Sequence, residues 1–255
     1  GLLGVGGGIV IVPMLVFAFG WQNFPQDVLM LMALGTSMGS IMFTSISSSL
    51  AHSRNKGVQW DAVRNITPGI LIGTFGPRLH MITYTTYSAN LMASHVPARF
   101  LQLFFVAFLF FVITQMLSGK KPKPSRHLPG LGGMSVAGGI IGVVSSLVGI
   151  GGGTLSVPFL LWNNLDMRKA IGTSAAIGFP IALAGCFGYI VNAANLPPYS
   201  FGYIYLPSLF GIVVVSMFTA PLGARLAQTL PVPKLKKCFA LLLIVIGIRM
   251  LLKAL

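Results

Sequence analysis

The stretch Gly149-Ile-Gly-Gly-Gly-Thr-Leu-Ser-Val-Pro158 guides the interpretation of this sequence, because it occurs twice. Its counterpart, Gly4-Val-Gly-Gly-Gly-Ile-Val-Ile-Val-Pro13, has the glycines and the proline in the same register. A second shared element follows each copy, as Ala33-Leu-Gly-Thr-Ser37 and as Ala170-Ile-Gly-Thr-Ser174. Matches that recur in the same order indicate an internal duplication, which has to be recognised before the fold is assigned.

The composition is that of an integral membrane protein. Of the 255 residues, 55% are apolar and 8% are charged, whereas an ordinary globular domain is about 25% charged. The apolar runs at 100–117, 131–161 and 239–252 reach or approach the roughly 20 residues that span a bilayer core. We therefore predict an all-α, multi-pass membrane protein that is embedded in the lipid bilayer.

The apolar runs and their breakers divide the chain into helices and repeats. They predict helices over 1–20, 28–50, 62–79 and 98–117, then over 131–162 with a break at the glycines, 170–191, 201–228 and 236–255. The first repeat covers 1–117, a basic cytoplasmic linker 118–130, and the second repeat 131–255. Residues 128–148 precede the glycine motif of the second copy, so we expect the first copy to lack an opening helix.

The loop charges favour two inverted repeats, each a glycine-broken re-entrant helix hairpin followed by three transmembrane helices. The 32 residues of 131–162 would make about 48 Å of helix, too little for two spans of about 30 Å. With the linker inside, this topology places 13 of the 17 basic residues in the cytoplasm, whereas eight plain spans divide them 9 to 8. The positive-inside rule therefore favours inversion. The cytoplasmic residues are Arg54, Lys56, Arg64, Lys120, Lys121, Lys123, Arg126, Arg168, Lys169, Arg225, Lys234, Lys236 and Lys237.

Several other classes of function are not expected. A net charge of +14 would ordinarily indicate nucleic acid as a partner, but the basic residues lie between apolar runs, where membrane loops carry them. Cys186 and Cys238 lie in apolar surroundings and predict neither a disulfide framework nor a metal site. The sequence shows no nucleophile with a base and no metal cluster, so we expect neither an enzyme nor a cofactor.

The glycine triplets are the candidate substrate site. Irregular backbone at membrane depth is tolerated where it lines a cavity, and the N–H groups at a helix N-terminus favour an anion. Close packing of helices is the alternative reading of the same glycines, and bonding to their own helix is the alternative for the nearby hydroxyls. Asp27, Asp61 and Asp166, the only acids, fall at loops or span ends, which disfavours a cation as passenger. The candidate substrate-binding residues are Gly6, Gly7, Gly8, Thr36, Ser37, Gly151, Gly152, Gly153, Thr173 and Ser174.

The doubled Gly-x-Gly-Gly-Gly with its following Val-Pro, together with Ala-x-Gly-Thr-Ser, resembles the TauE/SafE family of sulfite and organosulfonate exporters over essentially the whole chain. The resemblance implies a secondary transporter of the bacterial inner membrane that moves a sulfur oxyanion or organosulfonate, such as sulfite or sulfoacetate. It also supports the six glycines as site backbone. Two mechanisms stay open, a carrier that alternates access and a passive anion channel. Assembly as a homodimer also stays open.

Overall fold

The computed structural model describes residues 7–54, 56–88, 98–117, 128–190, 196–229 and 232–254. Over these residues the chain forms nine α-helices and one β-hairpin. The helices are α1 Gly8–Trp21, α2 Gln26–Arg54, α3 Trp60–Ser88, α4 Ala98–Leu117, α5 Leu131–Val148, α6 Gly153–Trp162, α7 Met167–Ile190, α8 Leu206–Thr229 and α9 Val232–Ala254. The hairpin joins β1 Ser200–Phe201 to β2 Ile204–Tyr205.

The predicted all-α membrane protein is confirmed. Within the described ranges, four helices are long and apolar enough to cross a bilayer: α2, α4, α5 and α7. Helix α6 has 10 residues, or about 15 Å, which is half of a bilayer core. The predicted break of 131–162 at the glycines is therefore present, and it separates a helix of spanning length from a half-length helix.

One predicted helix begins too early. The apolar run predicts a helix from 201, whereas Phe201 pairs with Ile204 in the hairpin and α8 begins at Leu206. Gly202 has a φ of 60°, and this left-handed conformation prevents a right-handed helix from running through it. Apolarity alone does not distinguish a two-residue strand from the first turn of a membrane helix.

The centre of the molecule is the pair formed by α2 and α7, the helices that carry the Gly-Thr-Ser element in each copy. Helix α1 packs on α2, and α6 packs on α7 in the corresponding way. Helix α8 packs on α2, α3 packs on α7, and α4 packs on α9. Large apolar side chains on the outer helices α4 and α9 are exposed, as a surface that faces lipid requires; they include Phe100, Phe111, Leu241 and Val245. The α2–α7 and α4–α9 contacts thus join corresponding helices, and the α2–α8 contact has its counterpart in the α3–α7 contact.

Matching turns also recur in the two copies. Asn23 after α1 and Asn164 after α6 both have a positive φ, of 55° and 64°. The N–H of the residue after each donates to the carbonyl five residues earlier, at 3.1 Å in both copies. Lys56 before α3 and Gly202 before α8 likewise share a positive φ, of 52° and 60°. These correspondences support the duplication at the level of single backbone bonds.

Small residues allow α3 and α5 to touch backbone to backbone. A Cβ on Gly69 would collide with the carbonyl of Ser135, and one on Gly73 with the carbonyl of Gly139. One turn further, a Cβ on Gly142 would lie 2.6 Å from the carbonyl oxygen of Ile70. Membrane helices associate through such close packing because lipid offers no hydrophobic drive between them. Since α3 and α5 come from different copies, this interface also joins the two halves.

Candidate functional site

The turn between α5 and α6 is the best-defined part of the candidate site. Helix α5 ends at Gly149 with a φ of 69°, and α6 is preceded by Gly152 with a φ of 73°. Both values lie in the left-handed region, which L side chains rarely adopt, so glycine is required at each position. The turn is buried from Gly149 through Thr154. The glycines therefore place irregular backbone inside the protein and out of contact with lipid.

The first N–H groups of α6 are left without acceptors. The earliest helical bonds run from the N–H groups of Leu155 and Ser156 to the carbonyl of Gly152, at 3.0 and 2.8 Å. The N–H groups of 151–154 donate to no acceptor among the described residues. A helix N-terminus carries about half a positive elementary charge on such groups, which favours an anion beside them.

The two glycine motifs meet. In α1 the N–H groups of Val10 and Ile11 donate to the carbonyl of Gly7, both at 3.0 Å, as at the start of α6. A Cβ on Gly8 would lie 2.6 Å from the carbonyl oxygen of Gly149. Only glycine permits this approach, so the beginning of α1 rests on the break of the other copy. Of the predicted glycines, Gly6 lies outside the described residues.

Both predicted serines bond to the break before α6. The Ser37 hydroxyl on α2 donates to the carbonyl of Gly149 at 2.9 Å, where both residues are buried. On α7 the Ser174 hydroxyl oxygen lies 2.7 Å from that of Ser156 on α6. Each serine therefore ties a central helix to a glycine break, and Ser37 does so across the two copies.

The predicted threonines bind backbone groups of the other copy. Thr36 accepts the N–H of Tyr205 just before α8, and Thr173 accepts the N–H of Gln59 just before α3, both at 2.9 Å. The glycine before each threonine lets the chain approach, because a Cβ on Gly35 would stand 2.5 Å from the carbonyl oxygen of Tyr203. The glycine and threonine of each Gly-Thr-Ser element thus contact the backbone just before α8 or α3 of the opposite copy.

Two buried hydroxyls at the second break were not predicted. Ser145 on α5 and Thr154 on α6 are 2% and 4% exposed, and neither side-chain oxygen has a hydrogen-bond partner in the described structure. The Ser145 oxygen lies 3.3 Å from the position of a Cβ on Gly152. The sequence distinguishes Thr154, because the first copy has the aliphatic residue Ile9 at the same place in the motif.

The electrostatics of the interior come from neutral groups. All buried polar side chains in the described part of the chain are serine, threonine or asparagine. Asp27, Asp61 and Asp166 are exposed at or next to the starts of α2, α3 and α7, as the sequence predicts. Burial raises the pKa of the Tyr203 phenol, and the carboxylate of Asp27 raises it further, so this group is uncharged at neutral pH. An anion bound in the interior would therefore be held by neutral N–H and O–H groups.

Comparison with known proteins identifies the family of the chain. The model of the family described as sulfite exporter TauE/SafE matches residues 1–250. The chain belongs to the TauE/SafE family. Among its TauE/SafE relatives, a probable membrane transporter protein of Haemophilus influenzae is 40% identical over 99% of this chain and 93% of that protein. A probable membrane transporter protein of Methanocaldococcus jannaschii is 27% identical over 98% of this chain and 90% of that protein. No solved structure matches the chain. Family and relatives indicate a membrane transporter.

Proposed function

We propose that this protein is a secondary transporter that moves a small anion across the bacterial inner membrane by alternating access. The passenger is a sulfur oxyanion or an organosulfonate, such as sulfite or sulfoacetate. The observation that carries the proposal is the buried N-terminus of α6, where the N–H groups of 151–154 lack acceptors. The name of the family, sulfite exporter, supports the choice of a sulfur anion.

The proposed site lies where the two glycine breaks meet. It comprises the glycines at 7–8 and 151–153, with Ser37 and Ser174 bonded to the break before α6. Thr36 and Thr173 hold the backbone just before α8 and α3. Gly6, which the sequence adds to this set, lies outside the described residues. The contact between Gly8 and Gly149 places one break against the other, so a movement of one copy changes the surroundings of both. Transporters built from repeats place discontinuous helices around a central site in this way.

An uptake experiment with purified protein in proteoliposomes tests the function. The panel is sulfite, thiosulfate, sulfoacetate, taurine and acetate, each at rising concentration. We expect saturable uptake of at least one sulfur anion and none of taurine, because its ammonium group needs a carboxylate and all three acids of the chain are exposed. Uptake of taurine without uptake of any anion would defeat the proposal. An anion flux that rises linearly with concentration would favour the alternative, a passive channel.

We further propose that the two copies are inverted, and the matching turns offer a test. Asn23 and Asn164 are exposed at equivalent turns, after α1 and α6. Single cysteines placed there, in a variant without Cys186 and Cys238, should react with a membrane-impermeant thiol reagent from opposite sides. We expect Asn23→Cys to react from outside intact cells and Asn164→Cys only after permeabilisation. Reaction of both from one side would exclude inversion.

A further inference from the structure

The two glycine breaks differ in the side chains around them. Among the described residues, four buried side-chain oxygens have no hydrogen-bond partner, and two of these, on Ser145 and Thr154, flank the break before α6. The first copy has Ile9 and Ile11 where the second has Thr154 and Ser156. The break before α6 therefore carries hydroxyl groups, whereas the start of α1 carries aliphatic ones.

An unpartnered hydroxyl in a protein interior calls for an explanation, because leaving a buried polar group without a partner is costly. Several hydroxyls in the described helices bond to the backbone of their own helix. Ser146, next to Ser145 on α5, donates to the carbonyl of Val143 at 2.8 Å, and Thr67 on α3 donates to the carbonyl of Val63 at 2.7 Å. Ser145 and Thr154 lack such a bond and lie beside N–H groups that also lack acceptors.

We propose that the break before α6 is the half of the site that binds the anion, with Ser145 and Thr154 as hydroxyl donors to its oxygens. The N–H groups of 151–154 complete the set of donors. The ligand class is a small oxyanion that carries no cationic group, since every donor is neutral and no buried carboxylate exists. The start of α1, which rests on Gly149, forms the opposing wall. This inference rests on the proposed function, because it assigns the contacts of the same anion.

The test uses the variants Ser145→Ala and Thr154→Val, alone and together, in the full chain. Ser146→Ala and Thr67→Val are matched controls, because each removes a hydroxyl from the same kind of helix position. The measurements are the half-saturating concentrations for uptake of sulfite and of sulfoacetate, and the thermal unfolding temperature without anion. A hydrogen bond to a charged group contributes enough that each variant should raise the half-saturating concentration about 10-fold or more.

The unfolding temperature separates binding from structure. Because neither hydroxyl has a protein partner, both variants should unfold at the wild-type temperature or above it. The inference is wrong if wild type takes up an anion and both variants do so with unchanged half-saturation. It is equally wrong if uptake and unfolding temperature fall together, which would show a structural role. If wild type moves neither anion, the proposed function fails for these ligands, and the assignment fails with it.

Discussion

Gly69→Leu is expected to lower the thermal unfolding temperature of the protein by about 6–12 °C. A Cβ at this position collides with the backbone carbonyl of Ser135, and backbone cannot move aside as a flexible side chain can. Overpacking in a tight interface costs up to about 3 kcal/mol, and in a chain of this size about 1 kcal/mol changes the transition by ~2–4 °C. The change is measured as the temperature at which the purified monodisperse protein is lost in detergent.

Gly139→Ala and Gly69→Ala form a matched pair of variants in this interface. A Cβ on Gly139 would meet the carbonyl oxygen of Gly69 at 3.7 Å, an ordinary contact. We therefore expect Gly139→Ala to be nearly neutral and Gly69→Ala to be destabilising. Equal stability of the two alanine variants would show that α3 and α5 are not packed backbone to backbone.

Gly8→Leu is expected to reduce anion uptake about 100-fold. Displacing a preorganised group by ~1 Å in a catalytic site has an effect of this size, and we expect the same for the preorganised groups of the binding site. A Cβ on Gly8 would lie 2.6 Å from the Gly149 carbonyl oxygen and 3.0 Å from the Ile150 Cα, so a larger side chain forces the two breaks apart. The measurement is the initial rate of uptake in proteoliposomes, divided by the amount of reconstituted protein.

Gly185→Ala on α7 is the control for Gly8. The three atoms nearest to its Cβ would all belong to the Met38 side chain, at 3.1–3.4 Å, and that side chain is flexible enough to move. We expect Gly185→Ala to retain uptake. Wild-type uptake by Gly8→Leu would show that the meeting of the two glycine motifs has no part in transport.

Much of the fold could be predicted from apolar runs alone. The predicted helix over 98–117 coincides with α4, and the predicted break of 131–162 falls at the glycines. Helix ends were less accurate, because a helix continues beyond its apolar part. The run at 28–50 lies within α2, which extends to Gln26 and Arg54 through polar residues that reach past a bilayer core. Arg54 lies in the last turn, where a cation interacts favourably with the helix dipole.

The candidate site was less accessible to prediction, because hydroxyl roles depend on tertiary neighbours. The Gly-Thr-Ser repeat marked Thr36 as a candidate donor to the anion, and in the structure its oxygen accepts the N–H of Tyr205, 169 residues away. Nothing in the local sequence indicates that partner. Ser145 was missed for the opposite reason, since it is distinguished by the absence of a partner in the described structure. Only coordinates separate a hydroxyl that bonds its own helix from one that has no bond.

Counterflow is the measurement that tests anion transport at the paired glycine breaks most directly. Proteoliposomes loaded with unlabelled anion, the one taken up fastest in the panel, are diluted into medium with a trace of the labelled anion. A carrier with one site that opens to either side exchanges the two, so we expect the label to accumulate transiently above its equilibrium level. Gly8→Leu proteoliposomes should show no such accumulation. Equilibration of the label without an overshoot in wild type, or the absence of any anion movement, would contradict the mechanism proposed for this protein.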